Sequence, residues 1–198
     1  MIRSELKQNA KMQLKGNLWL SIAVLVVYQL VSYVPNLLGM LSESAFLAGI
    51  ISIITVALTG VLSIGVCRFF INLTGDSNSQ FSDLWYGFNN ILKACGVALL
   101  VGVIVFLGSL FFVVPGIILA YMYSQVYYVM AQNPELSVVD VLKESARIMK
   151  GHKFELFVLQ LSFLGWMILS GLTFGIVGFY VIPYYNATLT NNYLSIKQ

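Results

Sequence analysis

Charge is the scarcest property of this chain. Only 10% of its 198 residues are Asp, Glu, Lys or Arg, against 59% that are hydrophobic. Soluble domains carry about 25% charged residues. A fold of this size with so few could not cover its core with polar surface, which excludes an ordinary water-soluble globule and points to lipid as the solvent. Two cysteines, Cys67 and Cys95, are too few for a disulfide framework and lack metal-ligand spacing. The single histidine, His152, has no second imidazole to complete a zinc site, and neither a P-loop nor a Gly-x-Ser-x-Gly elbow occurs. An enzyme is therefore not expected, nor any cofactor or metal. Nucleic acid is not expected as a partner either. The net charge is only +3, and Asp140, Glu144 and Glu155 interleave with the basic residues.

What is present are three charge-depleted tracts. Between Lys15 and Arg68 lie 52 residues interrupted only by Glu43; 41 uncharged residues separate Lys93 from Glu135, and another 41 separate Glu155 from Lys197. One helical span takes about 20 residues, so each tract is two spans long and reads as a hairpin. Turn chemistry falls at the three centres: Gly39 to Ser44, the Pro115-Gly116 pair, and Gly175. A basic stretch precedes the first tract as in a signal peptide. No small-residue cleavage site follows it, so the run is read as a retained span.

The resulting expectation is an all-α, polytopic membrane protein with spans near 17–38, 46–70, 94–113, 115–132, 156–172 and 175–194. A barrel would alternate polar and apolar residues, and "ACGVALLVGVIVFLGSLFFVV" does not. All eleven basic residues fall on the side of the N-terminus, and none in a hairpin turn. The positive-inside rule then puts both termini in the cytoplasm of a multi-pass cell-membrane protein.

Each hairpin is preceded by a segment that reads as an amphipathic cytoplasmic surface helix. In "QFSDLWYGFNNILK", Phe81, Leu84, Trp85, Phe88, Ile91 and Leu92 share one helical face. From Ser137 to Lys150, a capping pattern at Ser137 and Asp140 opens a helix. Its drier side is Val138, Val141, Leu142, Ser145, Ile148 and Met149, and Gly151 is placed to end it. The segment Ser4 to Lys15 is weaker, with Leu6, Ala10 and Leu14 beside its lysines. The pattern of lengths suggests one membrane domain, 1–198, built as a threefold repeat over 1–74, 78–132 and 135–194. The apolar faces are expected to dip into lipid headgroups.

The second half carries a family likeness. Pro115-Gly116-Ile117 opening a span, Asn133-Pro134, "ESARIMKGHK" from Glu144 to Lys153, "LQLSFLGW" from Leu159 to Trp166, and "VIPYYNAT" from Val181 to Thr188 resemble a bacterial integral membrane protein family known as domain of unknown function nine-seven-five. The resemblance implies a multi-span membrane protein with no established activity. The layout is also distantly similar to the membrane domain attached to some glycerophosphodiester phosphodiesterases, a likeness that carries no active site over.

Candidate functional residues are few. Arg68, near the end of the second span, either snorkels to the interface or holds an anionic headgroup. Arg147, Lys150, His152 and Lys153 mark the cytoplasmic mouth of the fifth span and are candidate headgroup contacts. Asn186 lies in a polar last helix beyond Pro183, which is expected to kink it. Asn186 serves either interhelical hydrogen bonding or a polar cavity open to the cytoplasm. Two functions follow. One is a non-catalytic accessory, scaffold or stress/immunity factor with membrane lipids, and a membrane protein, as partners. The alternative is a small-solute or lipid carrier with a cytoplasm-facing polar cavity near the sixth helix. A dry, well-packed bundle favours the first; a water-accessible cavity reaching Asn186 from the cytoplasm favours the second.

Overall fold

The computed structural model describes residues 3–41, 44–75, 78–111 and 113–197. Helices account for the architecture, with no strand among the described residues. They are α1 (Arg3–Leu14), α2 (Leu18–Met40), α3 (Ala45–Thr74), a 3-10 helix (Phe81–Asn90), α4 (Ile91–Phe111), α5 (Val113–Met122), α6 (Val126–Gln132), α7 (Val138–Ile148), α8 (Lys153–Leu161), α9 (Leu164–Leu172) and α10 (Gly178–Ile196).

Among the described residues, four stretches are long and apolar enough to cross a membrane: Leu18–Pro35, Ala45–Thr74, Phe81–Leu110 and Lys153–Leu172. The other two expected spans are less regular. The 115–132 span is divided into α5 and α6 by a turn at Tyr123–Gln125. Helix α10 dilutes its apolar half with Asn186, Thr188, Thr190, Asn191 and Asn192. The fifth expected span is likewise two helices, α8 and α9, joined through Ser162 and Phe163. Tight i→i+3 bonds carry the backbone through both joins: Val126 N–H donates to Tyr123 C=O at 3.3 Å, and Phe163 N–H to Gln160 C=O at 2.9 Å. These bonds satisfy part of the backbone at each join within the chain, as lipid favours.

Of the three turn centres, Gly175 is where the sequence places it. Its φ of +85° is left-handed, and its N–H reaches back to Ser170 C=O at 2.8 Å, closing the end of α9. Pro115-Gly116 is not the turn itself. Both residues lie in the first turn of α5, where a proline's missing N–H costs nothing. Gly116 instead lets α5 lie directly on α4, since a Cβ there would strike Ser109. Glu43, in the first centre, falls outside the described residues. Pro183 sits inside α10, which continues through it, so the expected kink does not divide the helix.

Helix α3 is the hub, touching α1, α2, α4, α6, α10 and the 3-10 helix. Its densest seam is with the 3-10 helix. Gly65 of α3 lies against the backbone of Leu84, and Gly87 lies against the carbonyl of Val61. Asn72 Nδ2 donates to Asp83 Oδ2 at 3.0 Å across the same seam. The middle surface helix is thus not an independent amphipathic α-helix. It is a 3-10 stretch that leads without a break into α4, and of its predicted face only Leu84 is buried, while Phe81, Trp85, Phe88, Ile91 and Leu92 stay exposed.

The outer two surface segments depart from expectation in the opposite way. Helix α1 buries Leu6, Ala10 and Leu14, but against protein rather than headgroups. Ala10 and Leu14 pack with Val24, Phe69, Phe70, Tyr184 and Ala187. Gln13 and Asn191 exchange amide hydrogen bonds of 3.3 and 2.7 Å, tying α1 to α10. Helix α7 has the expected Ser137 cap, and Gly151 behind it is left-handed at φ +89°. Its drier side, Val141, Leu142 and Ile148, is sealed in the main core with Val126, Val129 and Tyr193. The periodicity was real, but tertiary packing took the faces that lipid was expected to cover.

Candidate functional site

A groove runs between α2, α3 and α10 with a volume of about 370 Å³. Its walls are apolar, supplied by Ile22 and Val26 of α2, Val66 of α3 and Phe179 of α10. A short polar set interrupts them: Tyr28 and Gln29 on α2, Ser63 and Cys67 on α3, Tyr127 on α6 and Asn186 on α10. Pro183 and Gly178 line the same space, and both keep the α10 wall slim. The Ser63 hydroxyl donates to Thr59 C=O at 2.7 Å, so Tyr28 Oη, 3.2 Å from Ser63 Oγ, is the donor between those two.

Helix rise fixes the depth of this polar set. Gln29 lies eleven residues into α2 and Ser63 eleven residues before the end of α3. At about 1.5 Å per residue, both are roughly 16 Å from those helix ends. Of the exposed residues on its rim, Gln29 is midway along α2, while Phe179 and Ile182 lie in the first turns of α10. The three exposed residues come from α2 and α10, so the groove is open on the flank between those helices. Asn186 faces the groove, and its Nδ2 donates to Ile182 C=O of its own helix at 2.9 Å. Its bond is thus local rather than interhelical.

Arg68 is half-buried and engaged by protein groups. Its guanidinium lies 4.8 Å from the Tyr86 ring centroid and donates to Ala131 C=O at 3.2 Å, near the C-terminus of α6. A planar cation stacked on a ring and bonded to a helix-end carbonyl anchors α6 to α3. Arg68→Ala should lower stability by about 2 kcal/mol. Arg68→Lys should recover only part of it, because an ammonium cannot stack and bond in one plane. Thermal melts of both variants in detergent check this, and equal melting of wild type and Arg68→Ala would refute the anchoring role.

The other basic candidates do not gather round Arg68. Arg147 makes a two-pronged pair with Glu144 at 2.8 and 2.6 Å. That bond holds the Glu144 carboxyl below its ordinary value despite some burial. His152 Nδ1 lies 2.8 Å from Glu155 Oε2. Lys150 is exposed, and Lys153 begins α8. Three glutamines, one from each charge-depleted tract, also have separate surroundings: Gln29 lines the groove, Gln125 Nε2 donates to Ser124 Oγ at 3.0 Å, and Gln160 Oε1 accepts from Tyr121 Oη at 2.7 Å.

Sequence reasoning did not find Tyr28, Ser63 or Tyr127 as groove residues. They sit in ordinary apolar helical text, and only the packing of α2, α3 and α6 unites them. Among the described residues, no group of three or more His, Cys, Asp or Glu is placed to hold a metal ion.

Apolar helices of spanning length and an apolar exterior, with Trp19 83% and Leu92 87% exposed, together fit a helical membrane protein. The chain belongs to the family described as Protein of unknown function (DUF975), whose model matches residues 1–120 and 110–198. No curated protein and no solved structure matches the chain, so the likeness to the membrane domain of glycerophosphodiester phosphodiesterases gains no support.

Proposed function

We propose that this protein is a six-span carrier or lipid-handling protein of the bacterial cytoplasmic membrane, with its spans paired in three hairpins and both termini in the cytoplasm. The observation that carries the function is the groove that reaches Asn186 and Pro183. An accessory or scaffold role calls for a dry bundle, so the groove speaks for the carrier reading. Its walls are largely apolar with a few polar groups midway along, which suits an amphiphile better than a hydrated solute. Moving a solute with many polar groups into such walls would leave most of them without partners. A flank opening suits entry from the lipid phase, and the divided arms α5–α6 and α8–α9 are of a kind common in carriers. The reading assigns the protein no reaction.

The test is retention of a guest lipid with little headgroup, diacylglycerol, in nanodiscs, read by native mass spectrometry. Ser63→Phe and Ile22→Trp both fill the groove and should cut retention about tenfold. Retention unchanged in either variant, with folding intact, would refute the carrier reading. Topology has its own test. In a background with Cys67 and Cys95 replaced by serine, cysteines at Lys93 and Pro115 should be labelled from opposite faces of the cell. Labelling from the same face would remove the three-hairpin arrangement.

A further inference from the structure

We propose that a second cleft, between α1, α8 and α10, binds a zwitterion made of a phosphate and a primary ammonium, the chemistry of a phosphoethanolamine group. The cleft has a volume of about 300 Å³ and is separate from the groove. Arg3 and Leu6 form the α1 wall, Phe154, Glu155, Val158 and Leu159 the α8 wall, and Asn192 enters from α10.

Asn192 points to a ligand. It is only 6% exposed, yet its side-chain amide has no hydrogen-bond partner among the described residues. That amide opens on the cleft, and the protein leaves it free to bind what enters. Its NH2 can donate to a phosphate oxygen, and its carbonyl can accept from an ammonium.

The charges on the two walls have opposite sign. Arg3 forms no ion pair among the described residues and presents a guanidinium suited to phosphate. Lys7, one turn further along α1, has its ammonium held below the ordinary value by burial first and then by its neighbours Arg3 and Lys11. That wall is crowded with positive charge. Glu155, on the facing wall, is 67% exposed at its side chain and engaged through one oxygen with His152. A simple anion would meet Glu155, and a simple cation would meet Arg3. A dipolar group satisfies both walls. Buried Leu6 and Leu159 provide an apolar floor for the methylenes between the charges.

The position fits a membrane surface, on the reading that these helices span. Lys153 opens the apolar stretch 153–172, and Asn192 lies four residues before the end of α10. Phe154 stands 74% exposed beside the cleft. The zwitterion can come from a phosphatidylethanolamine headgroup or from a free phosphoethanolamine.

The experiment uses the full chain in phosphatidylcholine nanodiscs with phosphatidylethanolamine or phosphatidylglycerol as equimolar guests, read by native mass spectrometry. Phosphatidylcholine carries the same charges but no N–H donor, so it is a fair host. Phosphatidylethanolamine should be retained about tenfold over phosphatidylglycerol. Arg3→Gln should abolish most of that retention. Glu155→Gln should erase the preference while phosphatidylglycerol binding persists, a switch of selectivity that misfolding does not produce. Ser63→Phe, in the separate groove, should leave the preference intact, so the two sites fail or stand independently. Thermal stabilisation by millimolar phosphoethanolamine without lipid preference would assign the site to the free zwitterion. Equal retention of both lipids together with no effect of phosphoethanolamine would overturn the proposal, as would wild-type selectivity in both variants.

Discussion

Leucine in place of Gly65 or Gly87 should leave this chain without a stable folded state, the largest effect expected from any single change outside the main core. Both glycines sit where α3 and the 3-10 helix meet backbone to backbone. A Cβ on Gly65 would strike the Leu84 carbonyl, and one on Gly87 would strike that of Val61. A side chain in the way can rotate; a peptide carbonyl in a helix cannot move without breaking its own bonds. Overpacking of mobile side chains costs about 1–3 kcal/mol, so alanine here should cost at least about 3 kcal/mol. Opening this seam would also pull Asn72 from Asp83 and Arg68 from Tyr86. Gly102, within α4, is the control. Nothing lies within 4 Å of a Cβ there, and Gly102→Ala should be neutral or stabilising by up to about 1 kcal/mol through helix propensity. Melting in detergent, followed by size-exclusion profile, reads all three. Gly65→Ala melting with wild type would mean that the seam is not tightly closed.

The sequence discloses some levels of this structure and hides others for physical reasons. Four spanning-length apolar stretches are visible because lipid exposure selects for apolar side chains all round a helix. Gly175 is visible because a left-handed position needs glycine. The joins at Tyr123–Gln125 and Ser162–Phe163 are not visible. They contain no proline or glycine, and i→i+3 bonding leaves no compositional mark. Gly65 and Gly87 could be seen as glycines but not as partners in one seam, since that depends on how two helices cross. The candidate site divides in the same way. Asn186 and Pro183 stand out as polar and helix-disturbing in an apolar helix, and both do line the groove. Arg3 and Asn192 carry no local signal, lying in sequence about as far apart as this chain allows. Their cleft exists only because α1 docks on α10.

That docking separates two readings of the amphipathic helices and supports the other large prediction. A helix lying in headgroups through its apolar stripe would lose little folding stability when one stripe residue is shortened, because lipid refills the space. A helix packed on protein leaves a cavity. Leu14 and Ile148 are each 3% exposed, within separate buried clusters. Leu14→Ala and Ile148→Ala should each cost about 2–4 kcal/mol. Trp85, 44% exposed on the 3-10 helix with its ring 5.7 Å from that of Phe88, is the counter-case. Trp85→Ala should change stability by about 0.5 kcal/mol in detergent, where no bilayer rewards an interfacial tryptophan, and should lower melting further only after reconstitution into lipid. Melts of the three variants in detergent and in nanodiscs give the answer. Small losses for Leu14→Ala and Ile148→Ala in both media would return α1 and α7 to the membrane surface. The zwitterion cleft would then lose its α1 wall, because Arg3 reaches it only on a helix held down by Leu6, Ala10 and Leu14.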